Sequence, residues 1–149
     1  MRLISLDRKE DLVNLMRGIG VDPYGIKIMS SKAMFFLLKI ESLNTVAANI
    51  LKQEMLSLGA ELALSRNSLN LSSRVTDCLA MGTLAQFSAL SEKLKRQQFG
   101  LAKIGKEIKE TIAIGQKKRP VRLKAGKHSL SLGKAPCLMA VVNITPDSF

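Results

Sequence analysis

Residues 44–59, NTVAANILKQEMLSLG, limit the fold more than any other stretch of this chain. Asn44 is a residue type that caps helix starts, Gly59 one that ends helices, and Val46, Ile50, Leu51, Met55 and Leu58 recur at helical spacing between them. A helix so punctuated, with one apolar face, needs a core to bury that face. The same grammar recurs. In LDRKEDLVNLMRGIG, Asp7 and Glu10 stand at capping-box spacing, Leu12, Leu15, Met16 and Ile19 form a face, and Gly18 and Gly20 end it. In GTLAQFSALSEKLKRQ, Thr83 and Gln86 make a second such box ahead of Leu84, Phe87, Leu90 and Leu94. FGLAKIGKEIKETIAIG repeats the apolar beat at Leu101, Ile104, Ile108 and Ile112.

Short strands are expected between these helices. GIKIM follows the turn VDPYG, and AELAL and VTDCLAM flank the polar, hairpin-like stretch SRNSLNLSSR. Residues 31–58 read as two adjoining helical stretches, the second being the one above. Together these describe a small α/β domain over residues 1–115. The segment QKKRP then breaks the pattern with charge and proline, and the remainder, 116–149, is read as a second region. It opens with two short alternating strands about a glycine turn, VRLKAGKHSLSL, and continues through GKAPCLMAVVN into a further strand.

Charge supports that division. Residues 1–92 hold ten basic and nine acidic side chains, whereas residues 93–134 hold thirteen basic and two acidic. The net charge of +11 therefore belongs to one segment. The seven basic residues from Lys117 to Lys134 have no acid among them and can attract phosphate, but no aromatic side chain there offers a base a surface to stack on. A solvated hairpin is the simpler reading.

Other candidates weigh little. Gly18, Gly20 and Gly25 close a helix rather than follow a strand, so they are not a dinucleotide loop. Cys78 and Cys137 lack metal-ligand spacing and, with His128 the single histidine, make no conventional zinc site; they read as free thiols. No apolar run reaches the roughly 18 to 20 residues that span a bilayer, and acids interrupt the start of the chain where a secretory signal would stay apolar. The expected location is cytoplasmic.

The closing segment is different. CLMAVV is continuously apolar, as in a parallel strand covered on both faces, and such strands deliver chemistry at their C-terminal ends. Asn143, Thr145, Asp147 and Ser148 stand there, with Pro146 stiffening the turn. An asparagine carbonyl oxygen suits a hard cation such as Mg²⁺.

MAVVNITPDSF resembles the first barrel strand and first loop of the dihydropteroate synthase family, whose pattern is an apolar stretch followed by Asn, an apolar residue, Thr, Pro, Asp, Ser and Phe. VRLKAGKHSLSLGKAP is similar to the hairpin that precedes the barrel in that family, and GVDPYGI, AANILKQEMLSLG and CLAMGTL to stretches of an N-terminal domain found in some bacterial members. Ala140 departs from the pattern, which has Gly there. The resemblance implies a transferase of folate biosynthesis that condenses 6-hydroxymethyl-7,8-dihydropterin pyrophosphate with p-aminobenzoate. It implies Mg²⁺ as cofactor, with Asn143 at the metal and pyrophosphate, and Thr145, Pro146, Asp147 and Phe149 in a mobile substrate loop. The implied fold is the α/β domain, the hairpin and the first strand of an incomplete TIM barrel, a fragment expected to be inactive alone. Small-molecule substrates and a homodimer are the partners it suggests, with neither a membrane nor nucleic acid expected. A pterin-binding methyltransferase barrel shares a similar first strand and stands as an alternative, as does a self-contained basic interaction module.

Overall fold

The computed structural model describes residues 1–6, 8–69, 72–116 and 121–132. The chain divides into two units, Met1–Gln116 and Lys117–Phe149. In the first, α1 (Lys9–Gly18) and α2 (Pro23–Ala33) precede β1 (Phe35–Asn44), α3 (Thr45–Leu56), β2 (Glu61–Leu64), the single turn α4 (Arg66–Leu69), β3 (Val75–Thr83), α5 (Leu84–Leu94) and α6 (Leu101–Gln116). The sheet order is β1-β3-β2, and both pairings are antiparallel.

The punctuation of α3 and α5 is realised. Asn44 Oδ1 accepts from the backbone N–H of Val46 at 2.9 Å and of Ala47 at 3.3 Å, and Gly59 leaves the helix with φ +69. Thr83 and Gln86 form the reciprocal box, with Thr83 N–H donating to Gln86 Oε1 at 2.7 Å and Gln86 N–H to Thr83 Oγ1 at 3.3 Å. Gln86 does more: its Nε2 donates to the carbonyls of Leu58 at 3.1 Å and Gly59 at 2.8 Å. The start of α5 is thereby tied to the end of α3.

Four expectations are corrected. GIKIM is helical, within α2, because Asp22 caps Tyr24 and Gly25 and Pro23 takes the first helical position, where its missing N–H costs nothing. The stretch after Ala33 is not a helix: Met34 turns extended and residues 35–44 form β1, paired along its length with β3. Arg8, not an Asp, is the N-cap of α1; it caps nothing and instead pairs with Asp11 at 2.8 Å, while Asp7 lies outside the described residues. The buried face of α3 is also rotated, toward Thr45, Ala47, Ala48, Leu51 and Met55, leaving Val46 exposed.

One side of the sheet is covered. Leu62, Cys78, Ala80 and Leu43 join Ala47, Ala48, Leu51 and Met55 of α3, Phe87, Leu90 and Leu94 of α5, and Leu101, Ile108 and Ile112 of α6 in a single core. The core is aliphatic, as a chain with no Trp and five Phe requires. Helices α5 and α6 approach closely at Gly105, where a methyl group would stand 3.1 Å from Leu94 Cβ and 3.4 Å from the Ser91 carbonyl. On the other side of the sheet Phe35, Leu37, Val75 and Leu79 face solvent.

The second unit contains β4 (Val121–Ala125) and β5 (His128–Leu132), an antiparallel hairpin turning at Gly126, whose φ of +57 favours a residue without a Cβ. Opposed pairs alternate in character. Leu123 with Leu130 shares one face and Lys124 with Ser129 the other, while Val121 is level with Leu132 and Arg122 with Ser131 along the ladder.

Candidate functional site

Asn143, Thr145, Pro146, Asp147 and Phe149, the residues to which the sequence assigns metal and substrate contacts, lie outside the described residues. So do Cys137 and the strand expected before them. What is described is the approach to that segment, the hairpin β4–β5, and the chemistry of the first unit.

On the hairpin, Arg122, Lys124, Lys127 and His128 are all exposed. His128 pairs across the turn with Ala125. No group of three or more His, Cys, Asp or Glu side chains that could hold a metal occurs among the described residues.

In the first unit, charged groups are used in structure. Glu54 of α3 accepts from Lys93 Nζ at 2.9 Å and from Gln97 Nε2 at 2.7 Å, and Lys93 also reaches Ser57 Oγ at 2.7 Å. This network pins the end of α5 to α3. At the far end of the sheet, Lys39 pairs with Glu41 at 2.7 Å and stands 3.9 Å from Asp77, whose other oxygen accepts the Ser42 N–H at 3.0 Å. Ser42 has φ +53 within the irregular step between Ile40 and Leu43, and the Asp77 bond holds that turn. Neighbouring Glu41, first by hydrogen bond and then by charge, raises the Lys39 pKa.

Cys78 is buried, and desolvation first, then the Asp77 charge, pushes its thiol up to about 11. A thiol held protonated in this way is neither nucleophile nor metal ligand. Between β1 and α6 runs an apolar cleft of about 240 Å³, floored by Leu38, Ile40, Ile104 and Ile108 and rimmed by Lys39, Glu41 and Glu107. The sequence alone could not foresee it, since residues 31–44 read as helical.

The described residues thus carry no assembled catalytic constellation, and similarity to known proteins decides the assignment. A probable bifunctional folylpolyglutamate synthase/dihydropteroate synthase of Halobacterium salinarum is 32% identical over 147 residues, which is 97% of this chain and 17% of that protein. A bifunctional dihydropteroate synthase/dihydropteroate reductase of Helicobacter pylori is 31% identical over 138 residues, 93% of this chain and 32% of that protein. The chain is related to dihydropteroate synthases. A third such protein, the probable bifunctional folylpolyglutamate synthase/dihydropteroate synthase of Haloferax volcanii, is 28% identical over 110 residues. This chain spans about a sixth to a third of the length of the first two relatives. The likeness to dihydropteroate synthases covers nearly all of it, so the first unit shares in the relationship as well as the closing motif. No family model matches the chain, and no solved structure matches it.

Proposed function

We propose that this chain serves dihydropteroate synthesis, as part of a transferase that joins p-aminobenzoate to 6-hydroxymethyl-7,8-dihydropterin pyrophosphate in folate biosynthesis. One observation carries the reading: identity of 31–32% to proteins named dihydropteroate synthase runs across 93–97% of the chain, which also bears the motif NITPDSF.

The reaction expels pyrophosphate, a polyanion whose departure is helped by fixed donors and by a cation that neutralises the developing charge. Mg²⁺ supplies that Lewis acidity when bound. The donor chemistry fits: Mg²⁺ keeps several waters, takes phosphate oxygens from substrate, and needs only one or two oxygens from protein. Asn143 offers one neutral amide oxygen for that role. Thr145 and Asp147 supply hydrogen-bonding groups to the loop, Pro146 limits its conformations, and Phe149 provides an apolar wall for an aromatic substrate. Closure of such a loop excludes water from the reacting centre.

Measuring turnover against Mg²⁺ concentration in a dihydropteroate synthase that contains this chain tests the reading. Asn143→Ala is expected to cost roughly tenfold to a hundredfold at limiting metal with the melting temperature unchanged; full turnover at limiting metal would remove Asn143 from the metal site. Asp147→Ala is expected to raise the KM for p-aminobenzoate more than it changes the metal dependence. The 149 residues alone are expected to form no product, because an eightfold barrel takes about 250 residues.

A further inference from the structure

β1 lies at one edge of the three-stranded sheet, and among the described residues its outer side is unpaired. Edge strands in soluble proteins are kept short, charged or covered, yet residues 35–40, FFLLKI, hold one ionisable side chain in six. Phe35 and Leu37 are 60% and 62% exposed on the open face, and on the helix side Leu38 and Ile40 floor the cleft beside α6. A second apolar segment is equally uncovered. Residues 1–6, MRLISL, belong to no helix or strand, and Leu3 among them is 98% exposed. The two segments are neighbours: Ile4, Ser5 and Leu6 line a groove of about 390 Å³ together with Met34 and Phe35, where β1 begins.

We propose that residues 1–6 are a strap that adds to the free edge of β1 as an antiparallel fourth strand and closes the cleft beside α6. The inference stands apart from the assignment to folate synthesis. Direction follows from the groove. With Ile4, Ser5 and Leu6 already beside the start of β1, only an antiparallel course carries the preceding residues along the strand toward Ile40. Register follows from the side chains, because a slip of one residue exchanges the two faces. With Leu6 level with Phe35, Ile4 meets Leu37 on the open face, while Leu3 meets Leu38 and Met1 meets Ile40 over the cleft. Ser5 then falls opposite Phe36, the one polar-to-apolar pair. A slip one way would set Leu3 against Lys39 and Ser5 against Leu37; a slip the other way would set Arg2 over the apolar floor of the cleft.

Charge agrees with the same register. Arg2 comes level with Lys39, whose ammonium is shared by two carboxylates, Glu41 at 2.7 Å and Asp77 at 3.9 Å. One cation does not neutralise two acids, so a guanidinium added there balances the cluster.

Two measurements on the 149-residue chain test the strap. In a variant carrying Cys78→Ala and Cys137→Ser, Ile4→Cys with Leu37→Cys should oxidise to a disulfide within one chain. Ser5→Cys with Leu37→Cys, whose side chains fall on opposite faces, should not. Removing residues 1–6 should speed amide exchange at the outer edge of β1 by roughly tenfold or more and leave α3 and α5 unchanged. No bridge from the first cysteine pair, or equal oxidation of both pairs, overturns the proposal, as does a bridge that joins two chains. Should the cysteine variants fail to fold, exchange decides alone: β1 amides indifferent to the loss of residues 1–6 sink the strap.

Discussion

Two glycines on one helix respond in opposite directions to the same substitution. Gly105→Ala would gain about 1 kcal/mol of helix propensity, but its new methyl meets Leu94 Cβ at 3.1 Å and the Ser91 carbonyl at 3.4 Å, neither of which is a flexible tip. Overpacking costs about 1–3 kcal/mol, so the melting temperature should fall. Gly115→Ala meets nothing within 4 Å and should raise it. Cys78 gives a second test. Its thiol pKa is about 11 in the folded chain against 9.0 unperturbed. Between those values the unfolded chain has lost its proton and the folded chain has not, so rising pH favours unfolding there. Stability should decline from pH 9 to 11, and Cys78→Ala should flatten that part of the profile. In a Cys137→Ser variant a thiol reagent at pH 8 should modify Cys78 only after denaturant is added; prompt modification of native Cys78 would contradict its burial.

Among elements, the joint between α3 and α5 has the most at stake. Gln86 accepts from Thr83 N–H and donates to the carbonyls of Leu58 and Gly59, in the turn that follows α3. Gln86→Ala removes these three bonds and the one Thr83 Oγ1 donates to Gln86 Oε1, and should destabilise by about 1–3 kcal/mol, measured by urea unfolding. Gln86→Glu keeps the acceptor for Thr83 but loses both donated bonds, so it should fall between the parent and the alanine variant. A glutamate variant as stable as the parent would mean that the tie to α3 contributes nothing. Asn44→Ala, which removes only the cap of α3, should cost about 1 kcal/mol.

For the whole molecule, the core drawn from β1, β2, β3, α3, α5 and α6 lies wholly within Met1–Gln116. A polypeptide ending at Gln116 should accordingly melt in one cooperative transition. A broad transition would mean that residues beyond 116 complete the core. The hairpin β4–β5 poses the opposite case, since two strands alone are at best marginally stable in water. Residues 117–149 expressed by themselves should give no cooperative melt.

Local chemistry written into neighbouring residues was legible from the chain alone. Asn44, Gly59, the Thr83–Gln86 box, the apolar beat of α6 and the glycine-turned hairpin act within a few residues of where they stand, so reading them needs no knowledge of distant partners. NITPDSF is likewise a short pattern complete in itself, and its residues lie outside the described ones. The fate of residues 31–44 was not. FFLLKI is apolar enough for either a helix or a strand, and it became β1 because β3, some forty positions on, offered hydrogen bonds along its length. The burial of Ala47 and Ala48 in place of Val46 was settled likewise, by which face of α3 packs into the core beside Leu51 and Met55. Local sequence determined where α3 and α5 begin; long-range pairing and packing decided what the ambiguous stretch became and which faces were covered.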